Sequence, residues 1–143
     1  MRIKVDVDVD LGKLDVLKSI IPEIIEQRVQ NVGDSLAMTA SGAAPHDEGI
    51  LEKSYDVTVS GSVIASAIVG FKATNRGFDY ALMMHEGDYN LGPGSLAKSG
   101  GIGMSGANYA VGRKYLHRPL YGEANKYTQY INLALVAAIQ ASS

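Results

Sequence analysis

Residues 79–119 read DYALMMHEGDYNLGPGSLAKSGGIGMSGANYAVGRKYLHRP, and half of the chain's 16 glycines fall between Gly87 and Gly112. The stretch opens on a compact apolar segment, Tyr80–Gly87, whose Leu and Met residues favour a short helix stopped by Gly87. It closes on Arg118-Pro119, where a helical pattern resumes. The glycine-rich part of the connection, Asp88 to Gly112, is about 25 residues, which is longer than an ordinary connector in a compact domain. Glycine costs conformational entropy to fix, so the composition predicts a pliable arm, mobile in the free protein, that orders against a partner. On this reading the contacts to neighbouring subunits come from Tyr89, Leu91, Leu96, Lys98, Ile102, Met104, Tyr109, Arg113 and Arg118.

Two strings inside the arm imitate nucleotide-binding motifs. Gly101-Ile102-Gly103-Met104-Ser105-Gly106 spells GxGxxG, but no hydrophobic strand precedes it and no helix opens within it, so the dinucleotide fingerprint lacks its context. Gly92–Ser99 approaches a phosphate-binding loop, yet Ala97 stands where the second glycine belongs and Gly100-Gly101 follow in place of a helix. Neither string predicts nucleotide binding.

Upstream, residues 2–9 alternate Ile3, Val5, Val7 and Val9 with Lys4, Asp6 and Asp8, which predicts a charged edge strand. The acidic series fails as a calcium loop, because Leu11 takes the glycine position and Leu17 that of the terminal Glu. From about residue 11 to 41 the apolar residues Leu14, Leu17, Ile21, Ile25, Val29, Val32 and Leu36 recur at helical spacing, so a long helix is expected, kinked near Pro22. A loop around His46 leads to Tyr55, Val57 and Val59 in one alternating run. Val63–Phe71 forms a second, and together they predict a hairpin over residues 53–71. Downstream, Leu120, Ala124, Tyr127, Ile131, Ala134 or Leu135, and Ala138 line one face of a helix over residues 118–141, with Pro119 at its first position and Glu123 near the positive end of its dipole. The fold class expected is α+β, in one domain spanning residues 1–143: two long helices on a small, mainly antiparallel sheet, a short element at 79–86 and the glycine-rich loop at 87–113.

With 46% hydrophobic and 20% charged residues the chain has the composition of a globular domain, and no apolar run approaches bilayer-spanning length. A formal charge of −2 opposes duplex binding by counterion release, and 7% aromatic content opposes a stacking platform for single strands. There is no cysteine. His46-Asp47-Glu48 are too close in sequence to converge on an ion without distant partners, and His85 beside Glu86 reads as a structural hydrogen bond. No catalytic, cofactor-binding or metal-ligating set is expected. The competing reading is a small metal-dependent hydrolase built on His46, His85 and His117 with Asp47, Glu86 or Asp88.

Four signals occur in order: the long helix; Gly49-x-Leu51-x-x-Ser54 leading into the hairpin; Tyr80-Ala81-x-x-x-His85-Glu86-Gly87 before the glycine-rich loop; and Lys114-Tyr115-Leu116-x-Arg118-Pro119-Leu120 opening the last helix. This order resembles the tail-completion or minor capsid (neck) proteins of long-tailed bacteriophages over residues 10–140. Tyr115–Pro119 replaces the commoner Pro-Phe-Leu start, and the loop is long. The resemblance implies a non-enzymatic structural protein without cofactors, found in the virion at the head–tail junction and in the host cytoplasm during assembly. It implies a homo-oligomeric ring, monomeric when free, whose partners are itself, the head connector on the portal side and the tail proteins. DNA would only pass through its channel, and no membrane is involved.

Overall fold

The computed structural model describes residues 1–8, 21–46, 49–61, 64–75 and 77–141. The architecture is α+β. Strand β1 (Arg2–Asp8) and strands β2 (Tyr55–Gly61) and β3 (Ile64–Phe71) form an antiparallel sheet in the order β1-β3-β2. The register places Val69 between Ile3 and Val57, and Ala67 between Val5 and Val59, all on one face. The alternating valines of the sequence therefore point inward together. The opposite face carries Arg2 with Asp56, and Lys4 with Asp6. There Ser66 Oγ donates to Asp6 at 2.5 Å and lowers its pKa. Asp6 thus belongs to a solvated sheet face. The expected ninth residue of this strand, Val9, lies outside the described residues.

Helix α1 (Ile21–Ala43) packs across the inner face. Its buried residues Ile21, Ile25, Val29, Val32, Leu36 and Ala40 follow the three- and four-residue spacing of a single stripe. Burying each large side chain contributes about 1.5–3 kcal/mol relative to exposure. At Gly33 a β-carbon would sit 2.8 Å from Val57 Cγ1, so glycine here sets how closely helix and sheet approach. The expected helical residues 11–20 lie outside the described residues, and with them most of the expected kink; Pro22 falls in the first turn of α1 as described.

The chain then forms two short strands, β4 (Thr74–Asn75) and β5 (Phe78–Asp79), and helix α2 (Tyr80–Glu86). Asp79 caps α2 by accepting from the Leu82 amide at 3.0 Å, and the Gly87 amide closes its end on Met83 O at 2.8 Å. A one-turn helix α3 (Pro93–Leu96) and a tiny hairpin, β6 (Gly101–Ile102) with β7 (Asn108–Tyr109), interrupt the glycine-rich segment. Helix α4 (His117–Ala141) completes the fold beside α1. The two helices meet where Asn31 Nδ2 donates to Tyr130 Oη at 2.7 Å and the Arg28 guanidinium lies 4.5 Å over the Tyr130 ring. The buried face of α4 runs through Pro119, Glu123, Tyr127 and Ile131, while Ala124 is exposed. The expected stripe was therefore one residue out at its start, and a carboxylate takes the inward position. Among the described residues no helix is long and apolar enough to cross a membrane.

Candidate functional site

The glycine-rich segment is laid along the two long helices rather than held out as an arm. After α3, the side chain of Lys98 turns under the end of α1. Its ammonium donates to Ser41 O at 3.0 Å and Ala44 O at 2.6 Å, and pairs with Glu52 Oε2 at 2.7 Å. A cation on the last carbonyls of a helix satisfies acceptors that have no intrahelical partner and complements the dipole. Glu52 also accepts from His46. Burial would raise the Glu52 carboxyl, but its bonds from Lys98 and His46 outweigh that and hold it below the usual carboxylate range. The lysine of the phosphate-loop imitation is therefore committed to a helix end.

The β6–β7 hairpin lies directly on α1. Thr39 Oγ1 donates to Ile102 O at 3.0 Å. The Gly101 backbone rests on the Thr39 carbonyl, and a β-carbon on Gly42 would come within 2.6 Å of Gly101 Cα. On its other side the hairpin closes around Glu123 of α4. That carboxylate accepts from Ser105 N–H at 2.7 Å, Ser105 Oγ–H at 2.6 Å and Tyr109 Oη–H at 2.9 Å, with no solvent exposure. Burial pushes Glu123 up, and these three donors more than reverse it, leaving its pKa lowered. Tyr109, desolvated and bonded to the carboxylate, is pushed up to about 12. A side chain on Gly103 would collide with the Glu123 carboxylate. The GxGxxG imitation thus wraps an internal anion. Gly101 and Gly103 serve close approach, while Gly106 has open space around it and a left-handed φ of 90°, so the segment is packed along the helices rather than held out as the expected arm. Glu123 was expected near the helix dipole, and it is instead the anchor of the segment.

The two ends of the segment are joined by a cluster of aromatic and charged groups. Tyr115 is fully buried, donates from Oη to Ala81 O at 2.8 Å, and packs edge-on to Phe71 and His85 with ring centroids 5.3 and 5.0 Å apart. His85, also fully buried, donates from Nδ1 to Glu86 Oε1 at 3.0 Å and accepts the His117 amide at Nε2 at 3.3 Å. The neutral tautomer with its proton on Nδ1 satisfies both bonds. Desolvation lowers the His85 pKa, and the nearby His117 and Lys114 act in the same direction against the pull of Glu86. The Lys114 ammonium pairs with Glu86 and holds that carboxyl low. Lys114 adopts a left-handed backbone with φ 56°, and its amide donates to His85 O at 2.7 Å. The expected His85–Glu86 hydrogen bond is present. His117 joins the pair, with its ring centroid 4.7 Å from that of His85, whereas His46 is engaged with Glu52 and stands outside this group.

The interface candidates separate into two sets. Leu96 and Ile102 stand out into solvent at 69% and 62% exposure. Tyr89, Leu91, Met104 and Tyr109 are half-buried, and Tyr89 Oη donates to Met84 O at 2.6 Å. Lys98 is consumed at the end of α1. Arg113 pairs with Asp88 at 2.6 Å, and Arg118 donates to Arg113 O at 2.9 Å and Ala110 O at 2.7 Å. Further apolar exposure occurs at Phe78 (69%) and at Leu82 and Met83 around α2, and at Tyr121 (74%), Leu133, Val136 and Ile139 along α4. Those α2 and α4 positions were not among the sequence candidates, although the near absence of charge from Ala124 to Ala141 (Lys126 alone) is a legible signal. A hollow of about 330 Å³ opens beside α3, lined by Pro45, His46, Tyr80, Met84, Tyr89 and Ser95 among others. No protein family, no curated protein and no solved structure matches this chain.

Proposed function

We propose that the chain is a structural protein of the head–tail junction of a long-tailed bacteriophage, a neck or tail-completion protein that assembles as a ring around the DNA channel. One observation supports the reading beyond the ordered sequence motifs: large apolar side chains stand in solvent at Leu96 and Ile102 on the glycine-rich segment, at Phe78 on β5, at Met83 on α2, and at Tyr121 and Leu133 on α4. Apolar residues on a charge-poor surface suit contacts between subunits. Lys98 is committed to a helix end and Arg118 to backbone carbonyls, while Arg113 stays on the surface in an exposed pair with Asp88. On this reading DNA passes the protein without sequence-specific contact. The test is light scattering coupled to size exclusion, with negative-stain microscopy, at high concentration and with the connector or tail partner added. Rings or stoichiometric complexes are expected. Their absence under every condition overturns the reading, while a monomer alone does not, because such rings form on their template.

A further inference from the structure

We propose that His85, Glu86 and His117 form a binding site for a divalent transition-metal ion that pins the end of α2 to the start of α4. The donor set of two imidazoles and one carboxylate is that of zinc, nickel or copper. Each residue offers one ligand atom, and the three lie within 4.8 Å of one another. Around a tetrahedral ion with bonds of about 2.1 Å, ligand atoms stand about 3.4 Å apart. The His85 Nδ1 to Glu86 Oε1 separation is already 3.0 Å, so the closing movement falls to His117.

His117 is free to make that movement. Its ring is half-exposed, and its ring nitrogens have no hydrogen-bond partner among the described residues, being held only edge-on against His85 and Tyr121. His85 supplies the rigid ligand, fully buried and flanked by Tyr115. Glu86 and His117 reach solvent, which gives an ion an entry path and leaves a fourth position for water. Loading exchanges partners in a countable way. The ion replaces the proton that His85 shares with Glu86, and the Lys114 ammonium leaves the carboxylate. The ring proton of His85 moves to Nε2, so the 3.3 Å contact from the His117 amide opens; an amide in the first turn of a helix has no intrahelical partner and turns to water. Lys114 is therefore a built-in competitor for the site. The ion cross-links the two ends of the glycine-rich segment and acts on stability, with no hydrolytic step implied.

The test is isothermal titration of the full, untagged chain with ZnCl2 and separately NiCl2, paired with thermal melts. One equivalent of metal is expected to bind, with a rise in melting temperature. His117→Gln, at a half-exposed position, is expected to weaken binding at least tenfold while leaving the metal-free melt in place. Lys114→Met is expected to bind more tightly than the parent by removing the competing cation. Absence of stoichiometric binding in the parent chain, or equal affinity in His117→Gln, overturns the proposal. So does weaker binding in Lys114→Met if that variant melts like the parent.

Discussion

Replacing Glu123 with alanine should release the β6–β7 hairpin from α4. The carboxylate accepts three hydrogen bonds with no solvent exposure. Bonds to a charged acceptor are worth about 1.5–3 kcal/mol each. They share one acceptor and do not add, and Ser105 is exposed enough to regain water, so the expected net loss is about 3 kcal/mol. For a chain of this length that corresponds to a fall in melting temperature of roughly 10 °C. Glu123→Gln keeps the shape and one acceptor and should lose about 1–2 kcal/mol. Urea denaturation gives the free energies, and amide exchange locates the loss. Protection should drop at the Gly103 and Ser105 amides in Glu123→Ala, while the α1 amides around Val32 keep theirs. A loss under about 0.5 kcal/mol, or unchanged exchange across residues 101–109, refutes the assignment of Glu123 as the anchor.

Other consequences are as direct. Gly101→Ala puts a methyl group onto the Thr39 carbonyl and should destabilise by about 2–3 kcal/mol, whereas Gly92→Ala meets nothing within 4 Å and should stay within about 0.5 kcal/mol in the same urea series. His85 has a folded pKa below its ordinary value of 6.5. The unfolded chain therefore takes up the proton first, and the stability from neutral His85 is complete above pH 6.5 and lost as pH falls through the folded pKa. His85→Gln should flatten that limb of the stability-against-pH curve, and an unchanged limb counts against it. Glu123, also lowered, contributes a separate limb below its ordinary value of 4.5 that Glu123→Gln should remove. Leu96→Lys and Ile102→Lys should leave the unfolding free energy from urea melts within about 0.5 kcal/mol and abolish assembly seen by light scattering; intact assembly would take those residues out of the interface.

Much of the scaffold is written in local pattern. The period-two run Ile3, Val5, Val7 and the period-3.6 run Ile21 to Leu36 each expose one apolar face, and burying those faces on one another leaves few arrangements. The glycine-rich segment was not legible in the same way. Glycine answers two opposite needs, freedom of the chain and absence of a side chain at a close approach, and composition does not distinguish them. Gly101 and Gly103 meet the second need, against Thr39 and Glu123, partners 62 and 20 residues away. Glu123 followed the same logic: in the sequence its place was set by the helix dipole, with Ala124 on the apolar stripe, and only the donors brought by Ser105 and Tyr109 make its burial tolerable. The His85–Glu86 bond was legible because it is between neighbours, whereas His117, 32 residues further on, entered only through the competing reading, which grouped it equally with His46, now seen bound to Glu52.

The proposed assembly role is tested most directly by negative-stain electron microscopy of the full chain mixed with a phage tail or connector assembly, with light scattering on the same sample. Closed rings seated on that assembly are expected, and they should disappear with Leu96→Lys and Ile102→Lys. A chain that stays monomeric and unbound in the presence of those partners would contradict the account.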